Sequence, residues 1–290
     1  KLGTNALSGL TTGAFNTAVG SGALLKLTSG INNVAVGYNA ASGNTTGTDN
    51  VAVGANALLA NSIGTGNVAI GSNALSGSTI GQDNVAVGLN ALSGNVSGAQ
   101  NVGIGNSALA ANNSGTNNVA VGWRTLSGNT TGIQNVGIGS LVLNKNTYGD
   151  NNVGVGYLAL SGNITGIQNT AVGSQALREN TTGISNTAVG FKALSGNTSG
   201  TKNTAVGHSA LIATTLGTGN VGVGYNALSS NTTGDSNIAI GIDAGSSIVT
   251  GTGNTIIGNA PGSGGLSNTV IIAAGSVQKL YIDNAGVVSG

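Results

Sequence analysis

The chain has 290 residues, of which 53 are glycine and only 5% are charged, and its formal net charge is +1. So small a charge gives no electrostatic attraction to nucleic acid or to an anionic membrane, and we expect neither as a partner. With no cysteine and one histidine, a zinc site and a Cys-His catalytic pair are excluded. No apolar run approaches the roughly 20 residues of a membrane-spanning helix, so we also expect no membrane insertion and no cofactor.

Residues 1–15 form a partial repeat. Asn5-Ala6-Leu7 and Gly13 keep the phase of the complete units that follow. Those units fill residues 16–267, and each begins with an asparagine seventeen residues after the previous one. The first residues of the units are Asn16, Asn33, Asn50, Asn67, Asn84, Asn101, Asn118, Asn135, Asn152, Asn169, Asn186, Asn203, Asn220, Asn237 and Asn254. The last unit is shortened, because Asn268 follows only fourteen residues later.

We number the positions of a unit from its asparagine. Position 2 is Val, Thr or Ile, position 4 is Val or Ile, and position 5 is always Gly. Position 3 is Ala or Gly except at Ile256, and positions 8 and 9 are usually Ala-Leu. Alternate β-branched residues indicate a strand, and the recurrent Gly and Asn suit sharp corners. A helix is disfavoured by two fixed glycines per unit.

A unit of seventeen residues cannot bury a core alone, so the units must stack. We predict an all-β fold, a parallel β-solenoid or β-roll with one turn per unit and ~4.8 Å between turns. About fifteen turns would then extend over roughly 70 Å. Equivalent residues would form ladders, with the leucine inside and stacked asparagines hydrogen-bonded from turn to turn.

The second face of the strand suggests self-association. If Val and Ile at positions 2 and 4 fill the interior of the coil, position 3 faces outward as a stripe of Ala and Gly. An exposed apolar stripe usually marks an interface, and small residues allow backbones to approach closely. We therefore predict a homotrimer in which Ala52, Ala86 and Ala120 face the trimer axis. The competing arrangement places Ala and Gly inside a thin coil and Val outside.

Position 6 carries most of the aromatic residues. They are Tyr38, Trp123, Tyr157, Phe191 and Tyr225, with His208 at the same position. On alternate turns they would lie ~9.6 Å apart, an interval that suits stacking against successive sugars of a polysaccharide. The alternative is that these side chains pack a corner or an interface between chains.

Few residues in the sequence could act in catalysis, so we predict no enzymatic activity. The seven carboxylates are Asp49, Asp83, Asp150, Glu179, Asp235, Asp243 and Asp283, and no two share a position in adjacent units. Eight N-x-[ST] sequons all begin at position 12: Asn44, Asn95, Asn112, Asn129, Asn163, Asn180, Asn197 and Asn231. Glycans only ~4.8 Å apart would collide, so an asparagine ladder at a corner is the preferred interpretation over glycosylation.

The repeat loses its regularity from about Asp243, and residues 268–290 are predicted to form a capping hairpin. Its strands would include residues 270–272 and 279–282, followed by a turn at 283–286. Such a cap would cover the open strand edge of the solenoid.

Two resemblances can be named on these residues. Asn16-Thr17-Ala18-Val19-Gly20 and its equivalents resemble the head repeats of YadA-type trimeric autotransporter adhesins. This resemblance implies left-handed parallel β-rolls, three chains around one axis, exposed on a bacterial surface. Residues 280–287, LYIDNAGV, are similar to the segment that ends phage tail-fibre shafts before a self-cleaving intramolecular chaperone.

Together these features predict a structural fibre shaft or head, most simply a phage tail fibre or related extracellular fibre that attaches to a surface. Its partners would be two further copies of itself and a cell-surface polysaccharide. The alternatives are a bacterial trimeric surface adhesin or extracellular filament subunit and, more remotely, a polysaccharide-degrading spike.

Overall fold

The computed structural model describes residues 2–275 and 277–289 of the chain. It separates into two compact units, Lys1–Tyr148 and Gly149–Gly290, which we call unit 1 and unit 2 and describe separately. Both units are parallel β-solenoids with about 17 residues per turn, which confirms the predicted all-β repeat architecture. No helix occurs in the described residues.

Unit 1 contains eight three-residue strands, and each pairs in parallel with the next, seventeen residues along the chain. They are β1 Thr17–Val19, β2 Val34–Val36, β3 Val51–Val53, β4 Val68–Ile70, β5 Val85–Val87, β6 Val102–Ile104, β7 Val119–Val121 and β8 Val136–Ile138. The partial repeat joins this ladder, since Leu2 forms a parallel bridge with Val19.

Unit 2 continues the same pattern and then changes at its C-terminal end. Its strands are β9 Val153–Val155, β10 Thr170–Val172, β11 Thr187–Val189, β12 Thr204–Val206, β13 Val221–Val223, β14 Ile238–Ile240, β15 Thr255–Ile257, β16 Val270–Ala274, β17 Val277–Ile282 and β18 Val288–Ser289. β9 to β16 pair in parallel, whereas β16 with β17 and β17 with β18 are antiparallel. The predicted position of the last repeat is wrong by one residue: Thr269 lies opposite the last repeat asparagine, Asn254, because β15 and β16 are fifteen residues apart.

The segments between the strands are also hydrogen-bonded from turn to turn. Leu58 N–H donates to Ala74 O over 2.9 Å, and Gly54 N–H donates to Val36 O over 2.8 Å in the other direction. Sharp corners make this possible. Leu58 has φ 54°. Gly54, at position 5 of the same turn, has φ 134°, and a Cβ on it would lie 2.6 Å from the carbonyl oxygen of Gly71. A left-handed leucine costs about 1–2 kcal/mol, which its complete burial offsets at about 1.5–3 kcal/mol.

The strands present the opposite face to the interior from the one predicted. Ala52, Ala86 and Ala120 are 0% exposed inside the coil, and the flanking Val and Ile side chains point outward. The reason is the narrow interior: a Cβ on Gly103 at position 3 would lie 3.2 Å from Leu92 Cγ. The leucine at position 9 takes the available volume, so only Ala or Gly fits at position 3 of the next turn.

The asparagine at position 1 forms a buried ladder, as predicted. Asn50 Nδ2 donates to Asn33 Oδ1 over 3.1 Å and to Gly64 O over 2.8 Å, and Asn50 N–H donates to the same Asn33 Oδ1. Each side chain therefore joins two turns and closes its own turn. Because buried amides are costly when unpaired, this arrangement specifies the register strongly.

A second buried ladder runs along position 12. Asn112 Nδ2 donates to Asn95 Oδ1 over 2.7 Å and to Gly115 O over 3.0 Å. All bonds between these side chains run in the same sense, from one turn to the preceding one. Where position 12 is not asparagine, the preceding Oδ1 loses its donor. Ser78, Thr214 and Ile248 stand at position 12 in place of asparagine. In the turns before them, the Oδ1 atoms of Asn61, Asn197 and Asn231 are buried without a hydrogen bond.

Candidate binding surface

The aromatic position of unit 2 forms a column of exposed side chains held by main-chain hydrogen bonds. Gln175 N–H donates to Tyr157 O over 2.8 Å, and Lys192 N–H donates to Ser174 O over 3.0 Å. The same bond recurs in the next turns, where Ser209 N–H donates to Phe191 O over 3.0 Å. Position 6 of every turn is therefore stacked over position 6 of the turn before it.

Three consecutive members of this column stack on one another. The ring centroids of Phe191 and His208 are 5.1 Å apart with the rings tilted by 32°, and those of His208 and Tyr225 are 5.2 Å apart with an interplanar angle of 22°. His208 Nδ1 lies 3.0 Å from Ser209 Oγ, which fixes the ring from its side. Such stacked pairs contribute about 0.5–1.5 kcal/mol each beyond their burial. Both faces of the His208 ring are covered by its neighbours. This part of the column therefore exposes mainly ring edges to a ligand.

The remaining members of the predicted stripe are not brought into this stack. Tyr157 is separated from Phe191 by the turn of Ser174, and its side chain is about half exposed. In unit 1, Tyr38 and Trp123 are eighty-five residues apart, which is five turns. Their column neighbours are small or polar residues. The stripe is therefore several separate aromatic groups and not one continuous surface.

Cations accompany two of the aromatic rings. Lys192 Nζ lies 5.2 Å from the centroid of Phe191, and Arg124 Cζ lies 5.6 Å from that of Trp123. Both cations stand at position 7, directly after the ring that they cover. At an exposed site each contact is worth about 0.5–1 kcal/mol.

A second exposed surface follows the outer face of the strands. In each unit the Val or Ile side chain at position 4 points outward on every turn, and most of these residues are 36–44% exposed. Position 2 adds a half-buried or exposed Val, Thr or Ile beside it. We call the side chains at positions 2 and 4 the outer strand face. It contains no charged residue. The sequence could have indicated this orientation, since Thr stands at position 2 in Thr17, Thr170, Thr187, Thr204 and Thr255 but never at position 3.

Several of the carboxylates have structural partners, and the carboxylates remain dispersed along the chain. Asp49 Oδ1 accepts from Asn32 Nδ2 over 3.0 Å, and Asp243 Oδ1 accepts from Asn226 Nδ2 over 3.2 Å. Asp283 Oδ1 closes the turn before β18 by accepting two main-chain N–H groups, at 2.9 and 2.8 Å. Arg178 and Glu179 form an ion pair. Across residues 2–275 and 277–289, His, Asp and Glu form no group of three that could hold a metal ion.

The sequon asparagines are all inside the coil. Each of the eight is 0% exposed, and Asn95 and Asn129 donate to a main-chain carbonyl three residues ahead over 3.0 Å. A buried Nδ2 that is already a hydrogen-bond donor is not accessible to a glycosyltransferase. The position-12 ladder, and not glycosylation, therefore accounts for these asparagines in the folded chain.

One cleft of about 350 Å³ lies at the C-terminal end of unit 2, and no sequence pattern had indicated it. It is lined by Ala260, Pro261, Gly262, Ser263, Leu266, Ile271 and Tyr281. The cleft forms because the last turn is shortened and β17 folds back beside it.

No helix in the described part of the chain is both long and apolar enough to cross a membrane. Comparison with protein-family models, with curated proteins and with solved structures found no match to this chain.

Proposed function

We propose that this chain is the shaft or head of a homotrimeric extracellular fibre, such as a phage tail fibre, that attaches to a surface. The observation that supports this proposal is the outer strand face. It presents uncharged β-branched side chains at positions 2 and 4 of every turn. A solvated face of a sheet normally carries polar and charged residues, whereas here position 4 is Val or Ile in every turn and position 2 is Val, Ile or Thr. A largely apolar face of this kind marks an interface.

The size of the outer strand face is compatible with association of copies. Three residues at about 3.3 Å each and ~4.8 Å between strands give roughly 50 Å² per turn. The eight strands of unit 1 provide roughly 400 Å² and β9 to β15 of unit 2 provide roughly 350 Å², areas that contacts between copies of each unit could bury. The resemblance of the Asn-x-Ala-Val-Gly units to trimeric adhesin heads sets the number of chains at three.

The corrected interface is therefore the outer strand face and not the alanine stripe. Val36 and Val53 belong to it, whereas Ala52 supports it from inside the coil. Identical turns in register on each copy would place equal side chains opposite one another along the outer strand face of each unit. A bacterial surface adhesin with the same fold would use the same association, so that alternative differs only in what carries the fibre.

Sedimentation of the unmodified chain tests the proposal. We expect a species of three times the 27.6 kDa chain mass at micromolar concentration. Substituting Val36→Glu and Val53→Glu together should give monomers, because charges on facing copies would be desolvated. The matched control is Thr46→Glu, at an exposed position of unit 1 outside the outer strand face, which should leave the trimer intact. A monomeric unmodified chain would refute the proposal.

A further inference from the structure

The column at position 6 of unit 2 has one interruption between aromatic side chains. Ser174 stands between Tyr157 and Phe191, and main-chain hydrogen bonds of 2.8 and 3.0 Å stack the three turns in register. Two turns of a parallel solenoid place Tyr157 and Phe191 ~9.6 Å apart along the column. Both side chains are exposed, and Ser174 between them is half-buried.

The same column shows what fits in such an interval. Two turns after Ser174, the His208 ring lies between Phe191 and Tyr225, with centroid distances of 5.1 and 5.2 Å. Aromatic side chains two turns apart can therefore hold one further ring between them, tilted by 32° against one neighbour and by 22° against the other. Ser174 carries a hydroxymethyl group and no ring, so an opening for one ring from outside the chain would remain between Tyr157 and Phe191.

We propose that this opening, the Ser174 slot, binds one pyranose ring of a β-linked, glucose-type polysaccharide, sandwiched between Tyr157 and Phe191. The inference rests on the proposed attachment role and names the ligand class that would be recognised. A planar aromatic side chain offers the negative face of its ring to positively polarised C–H groups. A sugar held between two rings must present C–H groups on both of its faces.

This requirement selects the stereochemistry of the sugar. In an all-equatorial pyranose such as β-glucose, the axial C–H groups point to both faces and every hydroxyl lies at the rim. Mannose and galactose each carry one axial hydroxyl, which would be pressed against an aromatic face without a hydrogen-bond partner. An unpaired polar group of this kind discriminates strongly against the wrong ligand.

The rim of the slot supplies polar groups for the equatorial hydroxyls. Ser174 stands between the two aromatic side chains, and Gln175 follows directly, with its Oε1 accepting from Arg178 Nη1 over 3.3 Å. Lys192 Nζ lies over the Phe191 ring, 5.2 Å from its centroid, and would move off that ring to donate to a hydroxyl at the rim. The nearest carboxylate on these turns, Glu179, is paired with Arg178. The slot thus combines two aromatic walls with donors and acceptors at the edge, the usual composition of a small-ligand site.

Titration with cellotriose, followed by isothermal calorimetry and by the ring-proton NMR signals of Tyr157 and Phe191, tests the slot. We expect saturable binding by the intact chain and at least ten-fold weaker binding of mannotriose. Ser174→His should reduce the affinity for cellotriose at least ten-fold, because the new ring fills the slot. His208 shows that the column accommodates a histidine between two aromatic side chains without disturbing the fold.

Two variants complete the design. Tyr157→Ala should weaken cellotriose binding at least five-fold, whereas Ser72→His should not change it, since Ser72 stands at position 6 between Ala55 and Leu89. Absence of binding at 20 mM cellotriose, equal affinity for mannotriose, or unchanged affinity in Ser174→His would each overturn the inference. Sedimentation of the same samples reports the trimer independently, so failure of the slot and failure of the fibre proposal are distinguishable.

Discussion

The regular turns and the last turns of unit 2 fill the same narrow interior with opposite choices of side chain. In a regular turn, Leu92 at position 9 lies against Gly103 at position 3 of the following turn. Near the C-terminal end the order is reversed, with Gly245 at position 9 and Ile256 at position 3. The Ile256 side chain then occupies the space beside Gly262, where a Cβ would lie 3.4 Å from Ile256 Cδ1.

Position 12 changes in the same region. Regular turns carry the hydrogen-bonded asparagine, whereas Ile248 stands there in the turn of Gly245 and is 0% exposed. A Cβ on Gly262 would lie 3.2 Å from Ile248 Cγ1, so this side chain fills volume that leucine fills elsewhere. The comparison teaches that the side chains at positions 3, 9 and 12 share one interior volume. Whether a large side chain fits at one of them therefore depends on what stands at the other two.

The largest expected effect is removal of the regular filler. Leu92→Ala should lower the free energy of unfolding by about 3 kcal/mol, within the 2–5 kcal/mol typical of buried leucines, because the turn has no other fully buried long aliphatic side chain. Urea denaturation followed by circular dichroism measures the change. A matched control is the exposed Leu89→Ala, for which we expect less than about 0.5 kcal/mol.

The next effect tests whether the two arrangements are interchangeable. Gly103→Ile alone should destabilise by about 1–3 kcal/mol, because the new side chain overlaps Leu92. Combining it with Leu92→Gly, which copies the Gly245 and Ile256 pair, should recover at least about 1 kcal/mol relative to the sum of the single effects. A double variant whose loss equals that sum would contradict the coupling of positions 9 and 3.

Interruption of the polar ladder should cost somewhat less. Asn112→Leu removes the donor to Asn95 Oδ1 and one of the two acceptors of Asn129 Nδ2, which keeps only its bond to Gly132 O. We expect a loss of about 2 kcal/mol. The comparison variant is Asn231→Leu, whose Oδ1 is already without a partner next to Ile248, and it should lose less. Equal losses in the two variants would show that the ladder has no cooperative contribution.

The smallest expected effect is a gain. Ser78 Oγ and Asn61 Oδ1 are both buried without a hydrogen bond. Ser78→Asn should supply the donor that Asn61 lacks and stabilise the chain by about 1 kcal/mol, the usual net value of one hydrogen bond. Thermal denaturation should show a higher midpoint than that of the unmodified chain. Ser78→Ala serves as the control, and an equal midpoint for the two variants would refute the explanation.

Much of this architecture was predictable from the sequence because the period alone fixes the register. The asparagine at position 1, the leucine at position 9 and the glycine corners could all be assigned before the structure. The face of the strand could not, since Val-Ala-Val alternates in the same way whether the alanine points in or out. The volume left beside Leu92 decides which face of the strand points inward. That volume depends on how the whole turn closes and not on the strand sequence alone.

The candidate surface was predictable in position but not in arrangement. The spacing of Tyr157, Phe191 and Tyr225 identified the column, yet the insertion of the His208 ring between two of them depends on side-chain torsions that the sequence does not specify. The outer strand face was missed because its orientation was assigned the other way.

The uniform register also bears on how such a chain can change over generations. Each regular turn offers the same main-chain and asparagine bonds to the turn before and the turn after, seventeen residues away. Unequal recombination between similar stretches of the gene adds or removes whole multiples of seventeen codons. Such a product meets matching partners at the new junction and needs no compensating substitution, whereas any other length puts every following residue out of phase. The length of the repeat region can thus be adjusted by copy number, while the column at position 6 can be altered one residue at a time.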